Sequence, residues 1–127
     1  MNASYEYDAN FTPAAPVAII GLGPSGEVQI RQQVTALLDS GADGTMIPVD
    51  WLLAAGARFV EQRRMWGVVG NAVIVNLYLT AVHIGGHIIH GVRAVGGLSG
   101  TEAIIGRDVL NQLEVTLNGP AQETWIA

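Results

Sequence analysis

An apolar run that stops abruptly at an acid, a hydroxyl and a glycine limits this chain more than any other feature. Ala36-Leu37-Leu38 leads straight into Asp39-Ser40-Gly41, and the chain then continues Ala42-Asp43-Gly44-Thr45-Met46-Ile47-Pro48. A carboxylate at the end of a buried strand is costly unless it is hydrogen-bonded or used for chemistry. Ser40 and the backbone of Gly41 offer donors to such a carboxylate, and a glycine lets another chain come close, so the loop reads as one that presents Asp39. Asp, Ser and Gly are also common turn formers, and these three alone fit a plain β-turn equally well. A second stretch bears on the choice: Ala103-Ile104-Ile105-Gly106-Arg107-Asp108-Val109-Leu110, about sixty-five residues later.

A chain of 127 residues implies one domain, able to bury roughly two-thirds of the surface its unfolded form exposes. It has no cysteine, which excludes disulfides and thiolate chemistry and makes a cytoplasmic location the expectation. The formal net charge is −5, and all six basic residues are arginines, with Arg63-Arg64 the one adjacent pair. Phosphate neutralisation needs a basic stripe, so no nucleic-acid partner is expected. No apolar run approaches the ~20 residues of a membrane span, and residues 1–10 lack the basic start and apolar core of a signal peptide, so no membrane partner is expected either. Half the residues are hydrophobic and 16 are glycine, the profile of an apolar sheet protein with many tight turns.

Residues 1–15 are polar and proline-containing without periodicity and read as a mobile arm; the domain is expected over 16–120, with 121–127 as a tail. Val17 to Leu22 reads as a strand. It runs into Gly21-Leu22-Gly23-Pro24-Ser25-Gly26, the spacing of a dinucleotide-binding loop, which requires a helix to follow. Instead Val28, Ile30, Val34 and Ala36 share one parity with polar residues between them, the period of a strand, so a hairpin turn accounts for the glycines. Val49, Leu52 and Leu53 fall at helical spacing between Pro48 and Gly56, giving a short helix. Arg58 to Met65 reads as extended, Trp66 to Asn71 as a glycine-punctuated turn and Ala72 to Ile84 as a long strand; together they make a projecting hairpin. A further strand is expected over His87 to Val95, a loop over Gly96 to Gly100, a strand through Ile104-Ile105-Gly106, a helical turn from Asp108 to Leu113 and a last strand from Glu114 to Leu117. His83, His87 and His90 invite a metal reading, but on one strand residues 83 and 87 would lie ~13 Å apart, too far for one ion, and no metal is expected.

Leu-Leu-Asp-Ser-Gly-Ala-Asp (37–43) and Ile-Ile-Gly-Arg-Asp-Val-Leu (104–110), in that order and with a glycine-rich hairpin between, resemble the retropepsins, the single-domain aspartic proteases of retroviruses and their cellular and bacterial relatives. The resemblance covers about Pro16 to Asn118. It implies an all-β acid protease fold: a closed, barrel-like sheet with a flap hairpin and one or two short helices. It further implies an aspartic endopeptidase that works as a homodimer on peptide or protein substrates without a cofactor, each chain giving one catalytic Asp39. A dimeric peptide-binding module with little turnover is the alternative.

By the same resemblance Ser40 and Gly41 support the catalytic pair, and Gly41 and Asp43 meet the substrate backbone. Leu37, Glu102, Ala103 and Ile104 line side-chain pockets, while Gly67, Val68 and Val69 form the flap tip over bound peptide. Arg107 is expected to pair with Asp43, a bidentate contact that is structural more than catalytic; if extensively buried, its loss would cost on the order of 2 to 5 kcal/mol. Both termini run longer than is usual for the family, whose dimers interleave their terminal strands.

Overall fold

The structure, a computed structural model, describes residues 3–66 and 70–127. Among the described residues ten strands and two short helices follow in the order β1 (Ala3–Glu6), β2 (Val17–Gly23), β3 (Gln32–Leu38), β4 (Met46–Pro48), α1 (Val49–Ala54), β5 (Arg58–Trp66), β6 (Ala72–Ile84), β7 (His87–Gly97), β8 (Ala103–Ile105), α2 (Arg107–Leu110), β9 (Val115–Asn118) and β10 (Glu123–Ile126). The main sheet runs β2-β3-β8-β4-β7-β6-β5. A further pairing of β2 with β6, through Gly21 to Gly23 and Ala81 to His83, closes six of the strands into a barrel and leaves β5 outside it as an edge. This is the all-β, barrel-like architecture expected from the sequence.

Alternation builds the interior. Val34, Ala36 and Leu38 of β3 point inward with Ala18, Ile20 and Leu22 of β2, and all are buried. Ile47, Leu52, Ile84, Ile105 and Val109 complete the same core, so both helices are pinned by a single fully buried side chain each. Burial at this density is the main stabilising term, roughly 1.5–3 kcal/mol for each large aliphatic side chain. β8 lies parallel to β3 and meets β4 in the antiparallel sense, which carries the second sequence signature in beside the first.

The sequence reading needs revision in three places. First, Val28 and Ile30 do not extend β3; they are 77% and 51% exposed, and the strand begins at Gln32. The backbone there crosses over β2 instead: a Cβ on Gly23 would sit 2.1 Å from the Gln29 carbonyl oxygen. No helix follows the Gly21 to Gly26 segment; Gly26 N donates to His90 Nδ1 (2.9 Å) and Gly91 N to Ser25 Oγ (2.8 Å), tying the turn to β7. Second, β7 continues through Gly96 and Gly97, which pair with Ile47 and Pro48. The Tyr78 ring lies over Gly96, where any side chain would collide with it.

Third, the segments read as arm and tail are paired. β1 and β9 flank β10 in an antiparallel three-stranded sheet, with Ala3 opposite Ile126 and Glu123 opposite Asn118. Ile126 is fully buried and joins the core, its side chain lying against Gly85, whose φ of +57° and lack of a Cβ make the space.

The β5–β6 hairpin behaves differently. No residue of β5 is buried and none of Ala72 to Asn76 is, whereas β6 from Leu77 onward enters the core. The hairpin thus projects from the barrel, braced at its base by an edge-to-face contact between Phe59 and Tyr78 with centroids 6.0 Å apart. The expected flap-tip residues Gly67, Val68 and Val69 lie outside the described residues.

Candidate active site

β3 carries Leu38 into the core and then ends, leaving Asp39, Ser40 and Gly41 exposed on the loop that follows. Backbone bonds fix this loop from both sides. Asp39 N donates to the Ile105 carbonyl (3.0 Å), Ala42 N to the Asp39 carbonyl (3.1 Å) and Arg107 N to the Ala42 carbonyl (2.9 Å). Gly41 N donates to Asp39 Oδ1 (2.9 Å), so one carboxylate oxygen is oriented by the loop's own backbone. A Cβ on Gly41 would come within 3.1 Å of that same oxygen, so a side chain there would crowd the carboxylate.

The second signature presses against the first. A Cβ on Gly106 would lie 2.6 Å from the Gly44 carbonyl and 2.9 Å from the Ala42 oxygen, so the two loops meet backbone to backbone and only glycine fits. Arg107 reaches back across this contact. Its Nη1 donates to the Ser40 carbonyl (2.6 Å) and its Nη2 to Asp43 Oδ1. The guanidinium therefore bridges a carbonyl and a carboxylate and is not bidentate on Asp43. Asp43's side chain is 93% exposed and Arg107's 41%, so the ion pair sits at the surface and its contribution is about 0–1 kcal/mol.

The buried polar element at this junction is one that sequence reasoning missed. Thr45 is fully buried; its hydroxyl donates to Asp108 Oδ1 (2.8 Å) and accepts from Gly106 N (3.2 Å), while Thr45 N donates to Asp108 Oδ2 (3.2 Å). Val109 N adds a further bond to Asp108 Oδ1 (3.0 Å), near the start of α2. Thr45 and Asp108 thus lock the two signatures together from beneath. The available signal was a lone hydroxyl entering the apolar Met46-Ile47 strand and an acid in the first turn after Gly106-Arg107.

Strand parity gives the loop a working face. Leu37 opposes Ile104 across the β3–β8 pair, and both are half-buried while their neighbours Ala36, Leu38, Ala103 and Ile105 are buried. Leu37 and Ile104 therefore turn away from the core, on the side toward which Asp39 follows in register. Glu102 is exposed just before β8. A cavity of about 290 Å³ brings Leu37, Glu102 and Ala103 together; Ile104 lies outside it.

The histidines do not converge. His90 accepts from Gly26, His87 Nε2 lies 2.9 Å from the Ala127 carbonyl oxygen, and His83 Nε2 is buried without a partner. Desolvation, with a smaller contribution from the nearby His90, holds His83 below the ordinary histidine value. Among the described residues no group of three potential ligands is placed to hold a metal ion, and no helix is long and apolar enough to cross a membrane.

The sequence also matches a family model described as retroviral aspartyl protease, over residues 13–118. No curated protein matches it significantly. With that match spanning most of its length and both signatures meeting at one loop, this chain is a member of the retroviral aspartyl protease family.

Proposed function

We propose that the chain is an aspartic endopeptidase that works as a homodimer, with Asp39 of each copy forming one catalytic pair. The observation that carries the reading is Asp39 itself. It is an exposed carboxylate on a loop held at both ends, oriented through Gly41 N, and the sequence contains a single Asp-Ser-Gly. Peptide hydrolysis by carboxylates alone needs two of them. An isologous dimer brings any residue near its two-fold axis next to its own copy, so it completes the pair without a second motif.

In such a pair the ionised carboxylate takes a proton from water as the water oxygen bonds to the scissile carbonyl carbon. The protonated carboxylate gives its proton to the carbonyl oxygen. The resulting gem-diol then collapses, the C–N bond breaks and a proton passes to the departing amine. Like charges at close range resist double ionisation, which favours the one-proton form of the pair that this chemistry needs. In this reading Leu37 and Ile104, turned outward beside Asp39, meet the substrate, and the projecting β5–β6 hairpin covers it.

The test is cleavage of a peptide library, read by mass spectrometry across acid to neutral pH. Wild-type protein should cut with a rate that rises and then falls with pH, and Asp39→Asn should cut by at least ~10³-fold less while remaining folded. Retention of substantial turnover by Asp39→Asn would refute the assignment. Dimers that bind a peptide mimic but show no Asp39-dependent cleavage would identify a binding module instead.

A further inference from the structure

The cavity beside Leu37 has a wall that the family match does not supply. Residues 8–15 close a loop on themselves: Asp8 N donates to the Ala15 carbonyl (2.8 Å), Ala15 N to the Asp8 carbonyl (3.1 Å) and Asn10 N to Asp8 Oδ1 (2.9 Å). This loop sets Asp8 and Phe11 against Leu37, Trp51 of α1, Glu102 and Ala103 around a space of about 290 Å³. Asp8 and Phe11 precede residue 13, where the family match begins. The space, about 290 Å³, is at the lower end of the roughly 300–1,000 Å³ usual for small-molecule sites and has room for one long side chain.

Its chemistry is one-sided. Leu37, Phe11 and Trp51 give apolar and aromatic walls, Asp8 and Glu102 bring two carboxylates, and no arginine or histidine lines the space. Neither carboxylate has an ion-pair partner among the described residues, and Asp8 Oδ2 accepts no hydrogen bond there. A long side chain with an apolar stem and a cationic head satisfies both halves, its stem on the rings and its head at the carboxylates. We infer that this cavity is a specificity pocket for an arginine or lysine side chain of the substrate, and that the loop 8–15 is the determinant of that preference. The inference rests on the proteolytic reading of Asp39 and adds to it the class of substrate.

The experiment compares kcat/KM for a pair of library-derived peptides that differ only by Arg against Met at the subsite in question. Wild type should favour Arg by roughly five- to tenfold, the size expected of two partly exposed carboxylates. Asp8→Asn keeps an oxygen for the Asn10 amide while removing the charge. Combined with Glu102→Gln, it should bring the ratio close to one, and Glu102→Arg should shift preference toward Glu in the same position. Melting temperatures matched to wild type show that the loop stays folded. Asp39-dependent cleavage with no basic preference, or with a preference that both variants leave intact, overturns the pocket and leaves the protease standing. Absence of any Asp39-dependent cleavage overturns the protease reading, and the pocket with it.

Discussion

At the residue scale the junction of the two signatures divides its work unequally. Arg107 and Asp43 were the pair visible in sequence, yet Asp43 is almost wholly exposed, whereas the fully buried Thr45, bonded to Asp108, makes a connection between the signatures that the sequence reading missed. Arg107→Ala should therefore cost about 1–2 kcal/mol, mostly through the lost charge-assisted bond to the Ser40 carbonyl. Thr45→Val should cost about 1–3 kcal/mol, because it strands the Gly106 amide and removes a donor from Asp108. Chemical denaturation of both variants measures this; a Thr45→Val protein as stable as wild type would show the network to be dispensable. His83 makes a separate, pH-dependent contribution. Its folded value lies below the ordinary 6.5, so the unfolded chain binds the proton more readily and stability is full above that value. As pH falls below 6.5 toward the folded value, stability declines. The melting temperature should drop between about pH 7 and pH 5, and His83→Gln should lessen the drop; an equal drop in both proteins would place the effect on other groups.

At the element scale, what was legible and what was not follow from where each signal resides. Continuous apolar, β-branched runs made β2 and β6 readable and alternation the end of β3, and Ala72 to Ile84 is a strand over the range the sequence indicated. Val28 and Ile30 carry that same period on a crossover that leaves them exposed, because alternation does not say whether a neighbouring strand is present. The terminal strands were missed for the opposite reason. Four-residue segments such as Ala3–Glu6 and Glu123–Ile126 are too short to display a period, and their pairing joins the two ends of the chain. Asp39 itself was legible because a carboxylate closing an apolar strand is improbable as packing. The Phe11 wall was not, because it borders the same cavity as Leu37, Trp51 and Glu102, residues distant from it in sequence. The closed terminal sheet has a measurable consequence. Ile126→Ala should destabilise by about 2–5 kcal/mol, as expected for a fully buried aliphatic side chain, and a change under about 0.5 kcal/mol in thermal unfolding would mean that β10 is not part of the cooperative core.

At the scale of the whole molecule, one chain brings one Asp-Ser-Gly loop, so the proposed chemistry belongs to the assembly. Within the chain β10 already has a neighbour on each edge, β1 on one side and β9 on the other. A partner copy that adds a strand to this terminal sheet must therefore use the outer edge of β1 or β9, since β10 offers none. Assembly of this kind ties activity to protein concentration, with specific activity falling on dilution through the dimer dissociation constant. It also permits a direct measurement. Wild-type and Asp39→Asn chains are mixed at constant total concentration, allowed to exchange subunits, and assayed on a single peptide. If each active centre needs Asp39 from both copies, activity follows the square of the wild-type fraction, and an equal mixture retains about one quarter of the wild-type rate. A linear dependence, with about one half of the rate remaining, would mean that each chain works alone and would contradict the account.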